Sequence, residues 1–119
     1  MKHMTKTFGL LSDETRLRIL NVLTNGESCV CEVMKALGIT QPTASRGLIA
    51  LYDAGFLKLR KEGLWSLYSI DTEGVPVYQS HLIEIITKEL ECDEVTIRDR
   101  VKLKEAQRTS PRATSAAMR

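Results

Sequence analysis

Two groups of residues have the types and spacing to do chemistry. The first is Cys29-Val30-Cys31, two thiols separated by one residue and followed by Glu32. They fall at the start of a predicted helix, where unpaired backbone amides and the positive end of the dipole favour thiolate, the form that binds soft ions. On a regular helix, side chains two residues apart diverge by about 200°. The sulfurs can therefore converge only if the first turn is distorted or not yet helical, and ligation would then pull on the helix. That strain suggests a switch. The same pair also fits a plainer role as two small buried hydrophobes. The second group is Gln41, Thr43, Ser45 and Arg46, an amide, two hydroxyls and a guanidinium at the start of another predicted helix. Such residues can hydrogen-bond base edges and phosphates from a major groove. Polar residues also cover the solvent face of ordinary surface helices, so this group carries weight only in context.

The context is a run of short elements. Ser12 reads as an N-cap with Asp13 and Glu14 in the first turn, and Leu17, Leu20 and Leu23 form one apolar face until Asn25-Gly26. Phe8, Leu10 and Leu11 before it predict a short additional helix on the same core. Ser28 reads as the cap of a second helix, with Val30, Val33, Met34 and Leu37 on one face and Gly38 at its end. Thr40 caps a third, Pro42 is tolerated in its first turn, and Ala44, Leu48 and Leu51 form its buried stripe until Gly55. Two short helices joined through a glycine turn are a helix-turn-helix pattern. The period then alternates over Leu57 and Leu59, breaks at Glu62-Gly63 and resumes from Leu64 to Ile70, which predicts a β-hairpin or wing. Lys58, Arg60 and Lys61 on that hairpin could reach phosphates, whereas Trp65, the single tryptophan, reads as a packing residue. A long helical stretch follows Pro76. Its stripe of Leu82, Ile85, Ile86 and Leu90 predicts a dimer interface, with Phe8 and Leu11 nearby.

A chain of 119 residues with 43% apolar and 27% charged residues is one domain, or one domain with a tail. Its expected division is a winged helix-turn-helix and dimerisation domain over 1–97 and a basic tail over 98–119. Residues 98–119 hold a local charge of +5, which leaves −3 for the first 97 residues. Within that acidic body, residues 40–61 carry four cations against Asp53 alone, so two basic regions could meet a polyanion. Residues 109–115 have the composition of a disordered end. No apolar run approaches the roughly 18 residues of a membrane helix, no secretory segment opens the chain, and three cysteines are too few and odd in number for a disulfide scaffold. The expected setting is the cytoplasm, with reduced thiols.

Four of these segments carry a resemblance. Ser12-Asp13-Glu14-Thr15-Arg16-Leu17-Arg18-Ile19-Leu20 resembles the DETRL signature of the ArsR/SmtB metalloregulatory repressors, and Ser28-Cys29-Val30-Cys31-Glu32-Val33 is similar to their CVCD metal box. Gln41-Pro42-Thr43-Ala44-Ser45-Arg46-Gly47-Leu48 is similar to their recognition helix, with Gly47 where His is usual, and residues 55–68 follow their wing. The resemblance covers about residues 8–97 and is nearest to the arsenical-resistance operon repressors. It implies a mainly α, homodimeric winged helix-turn-helix repressor. Such a dimer binds palindromic operator DNA without any cofactor and is released when trivalent arsenic or antimony binds cysteine thiolates.

The resemblance also implies a ligand set. Cys29 and Cys31 are the metalloid ligands; the family's usual third cysteine falls at Met34, whose thioether cannot ionise. Cys92 is then either the third ligand, in cis or across the dimer, or a bystander. The family's zinc site on the last helix would fall at Gln79, His81, Cys92 and Val95, of which only His81 matches. Gly47 implies one DNA contact missing. Two readings of the same fold stay open: a sensor of cadmium, lead or zinc, and a repressor that senses oxidation at Cys29 or Cys31. An enzyme is not expected, because the chain has neither a Cys-x-x-Cys redox motif nor a nucleophilic cysteine with a phosphate-cradling loop.

Overall fold

Over residues 1–112, which the computed structural model describes, the chain forms six helices and one hairpin. They run α1 (Lys2–Leu11), α2 (Glu14–Val22), a 3-10 turn (Leu23–Asn25), α3 (Val30–Leu37), α4 (Gln41–Asp53), β1 (Leu57–Glu62), β2 (Trp65–Ile70), α5 (Val77–Leu90) and α6 (Glu94–Thr109). One core holds them together. Ile19, Leu20 and Val22 of α2 meet Val33, Ala36 and Leu37 of α3 and Ala44, Leu48 and Leu51 of α4, with Phe56 and Leu57 closing one side. Each of these helices lends one apolar stripe to a shared interior, as amphipathic helices must.

The caps explain where the helices start. Asp13, rather than Ser12, caps α2, its carboxylate accepting from the Arg16 amide at 3.0 Å. Ser12 instead ends α1, donating its hydroxyl proton to the Gly9 carbonyl. Cys29, rather than Ser28, is the N-cap of α3. Gly38 ends α3 at φ 67° and ψ 38°, the left-handed conformation that glycine adopts without a Cβ penalty. Thr40 caps α4 as expected, accepting from the Thr43 amide.

β1 and β2 pair antiparallel from Leu57↔Ile70 to Glu62↔Trp65. The turn is Gly63-Leu64, one residue later than the sequence reading placed it, with Gly63 at φ +58° and no non-glycine residue at positive φ among the described residues. Glycine at the first turn position is the arrangement that suits the twist of a two-residue hairpin. A helix-turn-helix followed by this hairpin makes the fold a winged helix-turn-helix.

The stretch after Pro76 is two helices rather than one. It breaks at residues 91–93, and α6 lies against α3 and α2. Arg18 of α2 grips the buried Asp99 of α6 with two hydrogen bonds of 2.9 Å and donates a third to the Leu37 carbonyl. Leu103 and Ala106 of α6 are buried. The expected boundary between residues 97 and 98 therefore falls inside a docked helix. The disordered end expected over 109–115 lies partly outside the described residues.

Candidate thiol site and nucleic-acid interface

The sulfurs of Cys29 and Cys31 lie 3.0 Å apart. They converge because Cys29 is the N-cap, with extended backbone at φ −93° and ψ 167°, while Cys31 already lies in the first helical turn. The 200° divergence of a regular helix does not apply across that junction. Cys29 is buried and Cys31 is half-buried. Burial pushes the Cys29 thiol up to about 12, helped by its hydrogen bond with Cys31 and by the nearby Glu32 charge, against the lowering effect of the Glu32 amide. The expected thiolate-favouring effect of the helix start is therefore outweighed at Cys29, because desolvation penalises the charged form more than one amide stabilises it.

Glu32, fully buried, organises this turn. It accepts from the Ser28 hydroxyl at 2.8 Å and from the Cys29 amide at 3.2 Å, completing a capping box in which Cys29 stands where Ser or Thr is usual. Arg112 donates to the same carboxylate at 3.0 and 3.3 Å. Burial alone would raise the Glu32 carboxyl; the hydrogen bonds from Arg112, Ser110, Ser28 and the Cys29 amide together hold it below its ordinary value. The sequence reading missed both partners of this pair. The Cys-x-x-Glu spacing was a signal for Glu32, while nothing local pointed to Arg112. A second tie is a bridge in which Ser28 and Tyr68 exchange two backbone hydrogen bonds of 2.9 Å, fastening the thiol segment to β2.

Cys92 is exposed in the break between α5 and α6. Among the described residues no three His, Cys, Asp or Glu side chains cluster in metal-binding fashion, so one protomer does not bring Cys92 to the pair. The cleft beside the thiols has a volume of about 500 Å³ and is lined by Val30, Met34, Gln41, Leu64, Trp65 and Ser66 besides the cysteines. Gln79 is fully buried and donates to the Ala54 carbonyl, which removes it from any zinc site at the helix surface.

The start of α4 is open. Gln41 and Arg46 are exposed and Ser45 is half-buried, and no ion pair involves Arg46 among the described residues. Thr43 is committed to its own helix start, accepting from the Thr40 hydroxyl at 2.9 Å. Gly47 is on the buried side. A Cβ there would stand 2.5 Å from Cδ1 of Ile19, so position 47 faces the Ile19 side chain in the core rather than the open side of α4. On the wing, Arg60 pairs with Glu27 and with Glu62, Lys61 donates to the Ser66 hydroxyl at 2.7 Å, and Lys58 is exposed. Two acids that the sequence reading did not weigh thus already engage one of its three wing cations.

The expected interface residues divide. Phe8 and Ile85 are 52% and 62% exposed, and Met4 and Val77 join them as uncovered apolar side chains on α1 and α5. Leu82, Ile86 and Leu90 are half-buried, the first two against the protomer's own core. Leu11 is buried in that core and has no surface left to offer a partner. A hydrogen bond between Thr7 and Tyr78 ties α1 to α5. No helix of the described residues is long and apolar enough to cross a membrane.

Comparison with known proteins places this geometry. Residues 13–59 match the family model described as bacterial regulatory protein, arsR family. An HTH-type transcriptional regulator of Methanocaldococcus jannaschii is 48% identical over 66 residues, 55% of this chain and 71% of that protein. The arsenical resistance operon repressor of Escherichia coli K12 is 40% identical over 65% of this chain and 66% of its own length. A cadmium resistance transcriptional regulatory protein CadC homolog of Staphylococcus aureus is 44% identical over 60% of each chain. The match thus spans less than two thirds of the latter two proteins. Among solved structures, a homodimeric winged helix-turn-helix DNA-binding domain from Mycobacterium bovis, described as a possible ArsR-family regulator, superposes with a TM-score of 0.63 at 26% identity. That superposition covers 78% of this chain and 82% of that one.

Proposed function

The chain belongs to the arsR family of bacterial regulatory proteins, whose members here are transcriptional regulators, and on that premise we propose that it is an operator-binding homodimer released by trivalent arsenic or antimony at Cys29 and Cys31. The observation that carries this reading is the 3.0 Å separation of the two sulfurs at a helix start that shares its core with the recognition helix. Trivalent arsenic is thiophilic and exchanges oxygen ligands for sulfur, and two sulfurs this close can bind one such atom.

Binding would have to draw Cys29 out of its buried, protonated state, and so work against the capping box that Glu32 completes. Val33, Ala36 and Leu37 pack with Ala44 and Leu48, so a shift of α3 is passed to α4. The Ser28–Tyr68 bridge passes it to the wing as well. A coupling of about 1–3 kcal/mol would weaken DNA binding roughly 5- to 150-fold. On the operator side, Gln41, Ser45 and Arg46 would read the groove, with Thr43 at its edge and Lys58, Lys61 and Arg60 on phosphates. The uncovered faces of α1 and α5, with Phe8 and Ile85, would pair two protomers so that their recognition helices meet half-sites about 34–36 Å apart.

The relative named for cadmium resistance favours a soft divalent ion as second reading. Two sulfurs without a third clustered donor among the described residues serve that ion less well. The test is operator binding followed by fluorescence anisotropy while arsenite, cadmium or peroxide is added. Cys29→Ser/Cys31→Ser is expected to keep operator affinity and lose the arsenite response; release of that double variant by arsenite would sink the thiol reading. Sedimentation as a monomer at micromolar concentration would sink the dimer.

A further inference from the structure

We infer that α6 extends the DNA-binding surface past the wing, with Lys104 and Arg108 contacting phosphates of the backbone beyond those the wing meets. The inference rests on the operator-binding reading and adds an element to it. Residues 98–112 hold six cations against Asp99 and Glu105. Asp99 is already paired with Arg18, and Arg112 with Glu32. Arg100 is half-buried and donates to the Thr24 hydroxyl. Arg98, Lys102, Lys104 and Arg108 are exposed, and no ion pair engages them among the described residues.

The place where α6 ends selects two of these four. Gln107 donates to the Glu27 carbonyl at 3.2 Å, in the loop that leads into α3, and Arg112 reaches Glu32 in the first turn of α3. Arg60 of β1 donates to the Glu27 carboxylate, and the charges of Arg112 and Lys58 act on the same group. The end of α6 and the wing therefore share one surface. Within that junction Lys58, Arg60 and Arg112 are matched in number by Glu27, Glu32 and Glu62. The cations left over are Lys61 on the wing and Lys104 and Arg108 on α6. From the helical repeat, Lys104 and Arg108 stand about 60° and 100° from Gln107 on one side of α6, and their i,i+4 spacing sets them side by side. Glu105 stands about 160° from Gln107, and Lys102 and Arg98 about 140° and 180° round the other way, turned from the Glu27 loop.

A backbone that meets the wing continues past it as a line of charge, about one for every 3.4 Å of axis on each strand. Unpaired cations beside that line neutralise phosphates and release their counterions. The face also suits a dimer. α6 docks on α3 and α2, whereas the dimer reading uses exposed apolar side chains of α1 and α5, so pairing two protomers does not call on Lys104 or Arg108. Each protomer would bring one such face to the duplex.

The reduced full chain is used to select a duplex from a randomised library, and its binding to that duplex and to a scrambled one is followed over a range of salt concentrations. Lys104→Ala/Arg108→Ala should make the slope of log K against log salt shallower by about 1.8 for each protomer bound, and weaken binding roughly 10- to 100-fold at about 0.1 M salt. The loss should be equal on the scrambled duplex, because phosphate contacts carry no sequence information. Lys104→Arg/Arg108→Lys, which keeps both charges, should keep the slope. Arg98→Ala/Lys102→Ala removes the same charge from the far side of α6 and should move the slope less than half as much. Thermal unfolding checks that each variant is folded, as exposed positions allow. An unchanged slope in Lys104→Ala/Arg108→Ala, or an equal change in Arg98→Ala/Lys102→Ala, would overturn the inference. Failure of the unsubstituted chain to select any duplex would instead overturn the operator-binding reading on which it rests.

Discussion

The starts of α3 and α4 are built to the same local plan and finished in opposite ways. Each begins with an extended N-cap residue, Cys29 in one and Thr40 in the other, and each turns its first-turn amides toward a side-chain acceptor. The start of α3 is then closed over. Glu32 is fully buried, Arg112 seals it from the far end of the described chain, and Ser28 is bridged to the wing. The start of α4 is left open, with an exposed Gln41 and Arg46 and only the exposed Thr40–Thr43 pair to hold it. A buried, multiply tied helix start can transmit a local change to distant parts. An open one, tied only to itself, keeps its polar groups available to an outside partner. Sensing and reading thus call for contrary treatment of the same motif.

The largest effect expected from this contrast is at Glu32. Glu32→Ala removes the acceptor for the Ser28 hydroxyl, the Cys29 amide and Arg112 at once, and should cost about 2–4 kcal/mol in urea unfolding. The lower part of that range applies because the Arg112 side chain is 25% exposed and can rehydrate. A loss below about 1 kcal/mol would show that the α3 start is no more tightly held than its counterpart. Next is the back of α4. Gly47→Ala drives a methyl against the Cδ1 end of Ile19 and should cost up to about 2 kcal/mol net, the overpacking being offset by a gain of about 1 kcal/mol in helix propensity. Ile19→Val, which removes the Cδ1 that would clash, should recover part of that loss in a double-mutant cycle; strict additivity would place the clash elsewhere.

Thr40→Ala at the open start should cost about 1 kcal/mol, an ordinary cap loss, and this is the figure against which Glu32→Ala is read. The smallest effect belongs to the wing. Glu27→Gln loosens Arg60 from an exposed ion pair and should strengthen operator binding roughly 1.5- to 5-fold with a steeper salt dependence. Lys61→Ala should do the reverse, with a slope shallower by about 0.9 for each phosphate that is no longer neutralised. If Glu27→Gln leaves both affinity and slope unchanged, Arg60 is a structural residue of the wing and not a phosphate ligand.

Local signals carried most of the fold. The Gly38 turn, the Thr40 cap, the Leu48–Leu51 stripe and the alternation from Leu57 are legible at their right places, because each depends on neighbours within a few residues. What escaped was set by distant partners. The inward residues of α6 include Thr96, Asp99, Leu103 and Ala106, a periodic face that is half polar, so a search for apolar periodicity passes over it. Asp99 belongs there only because Arg18, 81 residues earlier, meets it. The convergence of the two sulfurs turned on one residue of register. With Ser28 as cap, Cys29 and Cys31 diverge; with Cys29 as cap, they meet. Gly47, which the resemblance makes a missing DNA contact, stands three residues after Ala44 and four before Leu51, so the helical spacing of that stripe already puts it on the buried side.

The bridge between Ser28 and Tyr68 makes the loop before α3 a ruler. One end is fixed by α2 and the other by two hydrogen bonds to a strand, and the cysteine cap follows at the next residue. Slack in such a loop cannot be taken up gradually; an inserted or deleted residue between Asn25 and Ser28 must bulge out or slip the bridge by a whole residue. The distance from sulfur to hairpin is thus counted in residues rather than set by flexible packing. Anyone refitting this scaffold with another ligand-binding turn would keep the number of residues before Ser28 and vary only what comes after it.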